Sequence, residues 1–370
     1  MDSLDQKEME YVDRTLLKQQ IVSIMSAWGM SAEQVAASAE VMIETDTYGI
    51  DSHGVSMLML YEKMLSSGTV NPVAKPHVVK ESAVTALLDG DAGLGHLAAQ
   101  KGMSLAIQKC REAGLAAVSV FNSHHFGAAG IYAKMAADAG LIGLVTSSAR
   151  GVFVTPTFSR KPVLGTNPIA FAAPASTGRP FLLDMSTSVV ASNKVKVFDL
   201  CNRTLPSGWV CDDTGRFVTD AHEARDMLLN KEKRAGLAPL GGDRQHGGHK
   251  GYGLAMMVQI LSSTLSGGGF SPFQDRSLSK GEPDNIGHFF LAINPECFRL
   301  DGRFEDQVGC LLDYLHGVDP VDPAQPVLVA GDPEFDTYEQ RLKTGIPLPG
   351  SLVALLREIA MRASVPFLID

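Results

Sequence analysis

The sequence predicts an α/β protein with a helical layer at its N-terminus, and three observations carry that prediction. Apolar residues recur at helical spacing through the first 67 residues, β-like runs alternate with alanine-rich helical runs from Lys75 onward, and a late apolar helix is available to pack back on the first layer. A chain of 370 residues, 45 % hydrophobic and 20 % charged, can bury a large core, and its length suggests roughly two domains.

In the first layer LLKQQIVSIM has helical periodicity. Ser31 and Gln34 make a capping box before AEQVAASAEVMIET, each side chain satisfying an orphan N–H of the helix start. A third helix, VSMLMLYEKMLSS, stops near Gly68. Beyond Lys75 the runs AVTALLD, AAVSVF, LIGLVTSS, AFAAP and PFLLDMS read as strands, with HLAAQKGMSLAIQKCREAG and AAGIYAKMAADAG as helices among them. Residues 200–248 are polar and rich in turn formers, so they are expected as excursions at the edge of the body rather than core. YGLAMMVQILSSTL is a further helix ending at the Ser266–Gly269 loop, HFFLAIN one more strand, and SLVALLREIAMRA the helix that returns to the N-terminal layer. The expected division is a helical region, 1–75 joined by 335–370, and a mixed α/β region, 76–334, that binds cofactor and substrate.

A net charge of −9 argues against non-specific binding of nucleic acid or an anionic membrane, both of which need a basic face, so small molecules are the expected partners. Five cysteines (Cys110, Cys201, Cys211, Cys297, Cys310) form no C-x-x-C pair, and an odd count suggests free thiols in a reducing compartment. MDSLDQKEMEYVDR is too charged for a secretory signal, and no apolar run approaches the roughly 18 residues of a membrane span, so a cytoplasmic location is expected.

Gly93, Gly95 and Ala98 in GDAGLGHLAAQKG occupy the positions of a dinucleotide-binding G-x-G-x-x-G/A turn. The surroundings are wrong for that role. Asp89 and Asp91 flank the turn and would repel a pyrophosphate, while the following strand, LAAVSVF, ends in Asn122, Ser123 and His124 with no carboxylate for a ribose. A tight strand-to-helix turn is the better reading, and a cofactor must bind elsewhere.

Three other segments place His, Asp or Lys beside glycine where an element begins or ends: DSHGV (51–55), NSHHFGAAG (122–130) and HGGHKGYG (246–253). Glycine beside a polar side chain lets another molecule approach the backbone closely. His53 is suited to exchange a proton with a substrate oxygen near neutral pH. Small residues at 127–130 let the next helix begin close to a ligand, with its N–H groups available to phosphate, and only one of His124 and His125 is expected to face that ligand. Lys250, at a helix start, is suited to a phosphate, although the segment is no Walker A loop. A zinc hydrolase is disfavoured because HGGH is too glycine-rich to fix two imidazoles and no Glu base lies nearby; no metal is expected.

Together, DSHGV, SHHFGAAGIYA, GTNPIAFAAP (165–174), LDMSTSVVA (183–191), GGHKGYGL and GDPE (331–334) resemble, in this order, the motifs of the malate/L-lactate dehydrogenase family, which includes ureidoglycolate, sulfolactate and diketogulonate oxidoreductases. The resemblance runs over roughly residues 15–350. It implies NAD- or NADP-dependent hydride transfer on a mixed-sheet fold that is not Rossmann, and a homodimer. It also implies His53 as acid/base and His125 as a second catalytic His, with Asp184 bonding the nicotinamide side or orienting a His. The cofactor contacts it implies are His124, Gly127, Ser148, Leu183, Asp184, Met185, His249, Lys250, Gly251, Gly331 and Asp332.

Three departures cluster near the expected substrate site. Met57 stands where the family often has an Arg that pairs with a substrate carboxylate, so Arg150 and Arg160 become the candidate partners, with Thr166 beside them. VFVTPTF replaces the family's proline- and glycine-rich loop, and Ala330 precedes Gly331 in place of proline. The resemblance therefore implies a dehydrogenase of a small 2-hydroxy acid. The alternatives are a reductase of a cyclic imine or keto sugar acid on the same scaffold, and a nucleotide-binding member without turnover.

Overall fold

The apolar runs at the centre of the chain gather into one sheet because two helices and a late strand cover what they leave exposed. The computed structural model describes residues 9–200, 202–230, 235–273 and 281–369. Its elements are β1 (Met9–Val12), α1 (Arg14–Ala27), α2 (Ala32–Thr47), α3 (Leu58–Ser66), β2 (His77–Glu81), β3 (Thr85–Asp89), α4 (Gly95–Ala113), β4 (Leu115–Ser123), α5 (Ala129–Asp138), β5 (Ile142–Ser147), β6 (Ile169–Ala173) and β7 (Phe181–Met185). They continue as α6 (Ser192–Leu200), β8 (Val210–Cys211), β9 (Phe217–Val218), α7 (Ala221–Leu229), β10 (Gly236–Leu237), α8 (Gly248–Gln259), β11 (Ile286–Ile293), α9 (Phe304–His316), α10 (Asp332–Thr344), β12 (Ile346–Pro349) and α11 (Gly350–Arg362).

The main sheet has the order β2-β3-β4-β11-β5-β6-β7. Only β3 and β4 are parallel neighbours, and α4 joins them as a crossover. α5 joins β4 to β5, but β11 arrives late in the chain and inserts between these two, antiparallel to both. The alternation of strands and helices thus yields a mixed sheet rather than a Rossmann one, because a strand from 160 residues downstream takes the central place. The alanines of α4 and α5 let both helices lie close to the sheet: Ala98, Ala106, Ala133 and Ala136 pack on Val118, Val120, Val145 and Phe290. Gly102 goes further, since a Cβ there would stand 2.9 Å from the Phe290 ring.

A second apolar cluster joins α1, α2 and α3 through Leu17, Ile21, Ile24, Met42, Ile43 and Leu58. Val353, Leu356 and Ile359 of α11 complete it, so the late helix does return to the N-terminal layer. Ser31 caps α2, its hydroxyl accepting from Gln34 N–H, but the reciprocal half of the expected capping box does not form: Ser31 N–H donates to Pro72 O, and the Gln34 side chain donates to Asn71 O and Ala74 O. The first described element, however, is a strand and not a helix: β1 pairs antiparallel with β12, more than 330 residues away, and four residues are too few to show an alternation. Residues 1–8, with most of the segment read as too charged for a signal, lie outside the described residues.

Residues 200–248 differ from expectation. They build a third packed cluster, with Leu205, Val210, Val218, Ala224 and Leu237 buried against Val154, Leu164 and Val195. The strands that supply it, in the order β10-β8-β9, are two residues each, so single apolar residues between turn formers carry the burial and no periodicity announces it. Cys110, Cys211, Cys297 and Cys310 are free thiols, and Cys201 lies outside the described residues. Among the described residues no helix is long and apolar enough to cross a membrane.

Candidate active site

A cavity of about 2210 Å³ opens where the α2–α3 loop, the ends of β4, β5 and β7, and the third cluster meet. It brings together His53, Met57, His125, Gly127, Ser148, Arg150, Arg160, Thr166, Asp184 and Met185, ten of the residues singled out in the sequence.

His53 is presented by a loop tied down at both ends. Asp51 pairs with Arg341 of α10, whose Nη2 lies 3.0 Å from Oδ2, and the backbone N–H of His53 donates to Ile50 O at 2.9 Å. Ser52 Oγ lies 2.7 Å from His53 Nδ1 and orients the ring. Gly54 is glycine because the Asp46 carboxylate lies against its Cα, where a Cβ would overlap it. That carboxylate is fixed by the Val55 N–H, which donates to Oδ2 at 2.7 Å. Burial lowers the pKa of His53, so its ring is neutral at pH 7.

His125 follows the end of β4, and its ring stacks on His53 with centroids 5.4 Å apart. Burial, reinforced by the neighbouring His53, His96 and His288, holds its pKa well below the usual histidine range. His124 turns the other way and is fully buried, with Nδ1 3.1 Å from Asp284 Oδ2. One His of the pair faces the cavity, as the strand geometry indicates, and His124 is not on its wall. The glycine-rich turn before α4 explains itself here. Gly95 N–H donates to His125 O at 2.9 Å and Gly90 N–H to Phe121 O at 2.8 Å, while a Cβ on Gly95 would overlap His124 O. The glycines admit the neighbouring histidine turn, not a pyrophosphate.

Arg150 reaches the cavity with its Nε 3.0 Å from Asp284 Oδ1, so one buried carboxylate anchors both Arg150 and His124. Arg160 is exposed at the cavity rim, and Lys161 and Lys194 add two more cations to the wall. Ser148 lines the cavity with its hydroxyl engaged by Ser263 Oγ at 2.7 Å and Gly287 N–H at 3.2 Å. Met57 is joined by Leu60 and Met64 in an apolar wall on the His53 side.

Asp184, one residue before the end of β7, accepts the Gly130 N–H at 2.7 Å, holding the start of α5 against the sheet. Desolvation, helped by the nearby Glu334, pushes its carboxyl up to about 6. The folded protein therefore holds this proton more tightly than the unfolded chain, and stability present below the ordinary carboxylate range is lost as pH rises through about 6. Cavity water screens part of the effect. Asp184→Asn keeps an acceptor for Gly130 without the charge, so its stability relative to wild type is expected to be greater at pH 8 than at pH 4.5 by on the order of 1–2 kcal/mol. Denaturant unfolding at the two pH values measures this, and an equal difference at both would remove ionisation as the cause.

Besides His124, six further expected cofactor contacts do not line this cavity. Leu183 alternates to the opposite face of β7 from Asp184 and pairs with Phe171. His249 Nδ1 accepts from Arg244 at 3.1 Å, and Lys250 is exposed on the first turn of α8. Gly251 is a packing glycine, since a Cβ there would overlap the Leu240 backbone. Gly331, at φ 104°, starts α10, and Asp332 bonds locally to Val329 N–H at 2.8 Å and His316 Nε2 at 2.7 Å. Conversely, the structure adds Asp284 on the cavity wall and Asp46, Tyr61, His96 and Arg341 behind it. Asp46 in the buried run Thr45–Thr47, and Tyr61 on an apolar helix face, carried a detectable signal, because polar atoms at core positions need partners.

A nicotinamide dinucleotide fits this cavity. Its volume exceeds the roughly 300–1,000 Å³ of a small-ligand pocket. Ala128 and Ala129 bring the start of α5 to the cavity wall, where Asp184 already takes the Gly130 N–H, and Arg150, Arg160, Lys161 and Lys194 provide positive charge for phosphates.

The malate/L-lactate dehydrogenase family profile matches residues 12–357. The chain is 38% identical over 346 residues to a malate dehydrogenase of Pyrococcus horikoshii, covering 93% of each. It is 35% identical over 286 residues to a (2R)-3-sulfolactate dehydrogenase (NADP(+)) of Chromohalobacter salexigens, covering 77% of this chain and 80% of that one. The crystal structure of malate dehydrogenase from Entamoeba histolytica superposes with a TM-score of 0.91 at 32% identity, covering 97% of this chain and 99% of that one. Fold and cavity thus define an α/β oxidoreductase of the non-Rossmann kind. The chain belongs to the malate/L-lactate dehydrogenase family, and so stands among the oxidoreductases that act on hydroxy acids with NAD or NADP.

Proposed function

We propose that the chain interconverts a small 2-hydroxy acid of the malate or lactate type and its 2-oxo acid, with His53 and His125 serving the reacting oxygen and its proton. The observation that carries this is the stacking of two neutral imidazoles in a cavity that also holds Arg150 and Asp184. A bound nicotinamide supplies the hydride acceptor or donor. The rest falls to the chain. His53, neutral and held at Nδ1 by Ser52, takes the hydroxyl proton in the oxidative direction. Arg150, steadied by Asp284, receives the substrate carboxylate in place of the residue at 57. Gly127, Ser148, Asp184 and Met185 form the wall for the dinucleotide, and Thr166 and Arg160 flank the substrate side.

A homodimer and a cytoplasmic setting belong to the same reading, as does the division into a helical region, 1–75 with 335–370, and an α/β region, 76–334. The dimer is supported by the exposed Met257 and Ile260 on successive turns from α8, a face that a partner would cover. Light scattering on the purified chain tests it.

The apolar wall of Met57, Leu60 and Met64 favours a second reading, reduction of a less anionic substrate such as a cyclic imine or a keto sugar acid. One assay separates the two. Oxidation of NADH and NADPH is followed with pyruvate, oxaloacetate, phenylpyruvate, a keto sugar acid and a cyclic imine. Turnover of a 2-oxo acid is expected; turnover of the imine or sugar acid alone favours the second reading. Silence throughout, with nucleotide binding visible by fluorescence, would favour an unusual substrate or a nucleotide-binding member without turnover.

A further inference from the structure

His125 has two ring nitrogens, and what lies behind the ring decides which carries the proton. Gly127 N–H points at Nδ1 from 3.3 Å, and an amide N–H can only donate, so this long, weak bond favours a bare Nδ1 without fixing it alone. Tyr61 Oη lies 2.8 Å from the same nitrogen. A bare nitrogen has nothing to give, so the phenol donates. With its single proton spent there, Tyr61 meets His96 Nε2, 3.4 Å away, only as an acceptor, which places the His96 proton on Nε2. The remaining atom agrees with this count: His96 Nδ1 is buried without a hydrogen-bond partner, an idle lone pair rather than an orphaned N–H. Tyr61 and His96 are fully buried, and burial keeps the phenol protonated and holds His96 at about 3, so neither acquires charge near neutral pH.

We infer that Tyr61, backed by His96, is a positioning residue that fixes His125 as the neutral Nε2–H tautomer, so that His125 offers the cavity a hydrogen-bond donor and not a base. The groups facing the ring, His53, His96 and His288, are all imidazoles that oppose a second proton on it. Labour is then divided. His53 moves the proton, and His125 donates to the substrate oxygen as it gains or loses negative charge. This use of the tautomer rests on the hydroxy-acid reading above; the tautomer itself does not.

Nitrogen NMR of the full chain labelled with ¹⁵N-histidine tests the inference at neutral pH, with the His125 signals assigned by their loss in His125→Asn. The expected wild-type pattern is a neutral ring protonated at Nε2. In Tyr61→Phe the pattern should move toward a mixture of tautomers, and kcat should fall roughly tenfold or more while dinucleotide affinity stays within about twofold. A charged or Nδ1-protonated His125 in the wild type overturns the proposal, as does an unchanged ring pattern in Tyr61→Phe. If that variant fails to fold, the wild-type spectrum alone decides. Absence of turnover with every hydroxy acid would sink the functional reading and leave the spectra standing.

Discussion

Replacing His53 by alanine is expected to lower turnover by on the order of a hundredfold or more while changing dinucleotide affinity little. The ring is the one group of the α2–α3 loop that combines cavity exposure with a proton it can give or take near neutral pH. Its pKa is lowered by burial, so the free base predominates at pH 7 and is ready to accept a hydroxyl proton. Asp51 ties the loop to Arg341 without using the His53 ring, so the loop should persist in the variant. Steady-state kinetics with a competent substrate, together with fluorescence titration of NADH, separates the outcomes. Collapse of cofactor affinity with little change in the chemical step would make His53 a binding residue.

Residues that act through their neighbours in sequence were legible; residues that act through distant partners were not. His53 and His125 could be read because each stands beside glycine at an element end, and the strand geometry already divided His124 from His125. The groups that give them their properties come from far along the chain: 64 residues separate Tyr61 from His125, 160 separate His124 from Asp284, and 290 separate Asp51 from Arg341. No local period encodes such pairs. Glycine was ambiguous for a related reason. It records that something comes close to the backbone, without saying what. At Gly95 the visitor is the neighbouring histidine turn, and at Gly251 the Leu240 backbone. The sheet shows the same limit, since α4 and α5 were readable as connections but the place of β11 between β4 and β5 depends on packing.

The largest structural effect is expected at Gly54, where the loop carrying His53 meets the buried face of α2. A methyl group there would overlap the Asp46 carboxylate, and three features keep that carboxylate from yielding. Asp46 is 1 % exposed, its Oδ2 accepts the Val55 N–H at 2.7 Å, and its backbone carbonyl accepts from Arg341. Rotating the carboxyl away would leave the Val55 N–H unpaired in a buried place, and moving the loop instead would strain the Arg341–Asp51 contact and displace His53 from His125. Either response is costly, so Gly54→Ala should destabilise the protein by about 3 kcal/mol, near the top of the range for overpacking. It should also reduce activity in whatever fraction remains folded. Asp46→Asn separates the two effects, because it keeps the crowding role and an acceptor for Val55 while Gly54 is intact, and should be far milder. Denaturant unfolding of both variants provides the comparison. A Gly54→Ala protein as stable and active as wild type would mean that the loop has freedom to move, and the fixed presentation of His53 on which the catalytic reading depends would have to be abandoned.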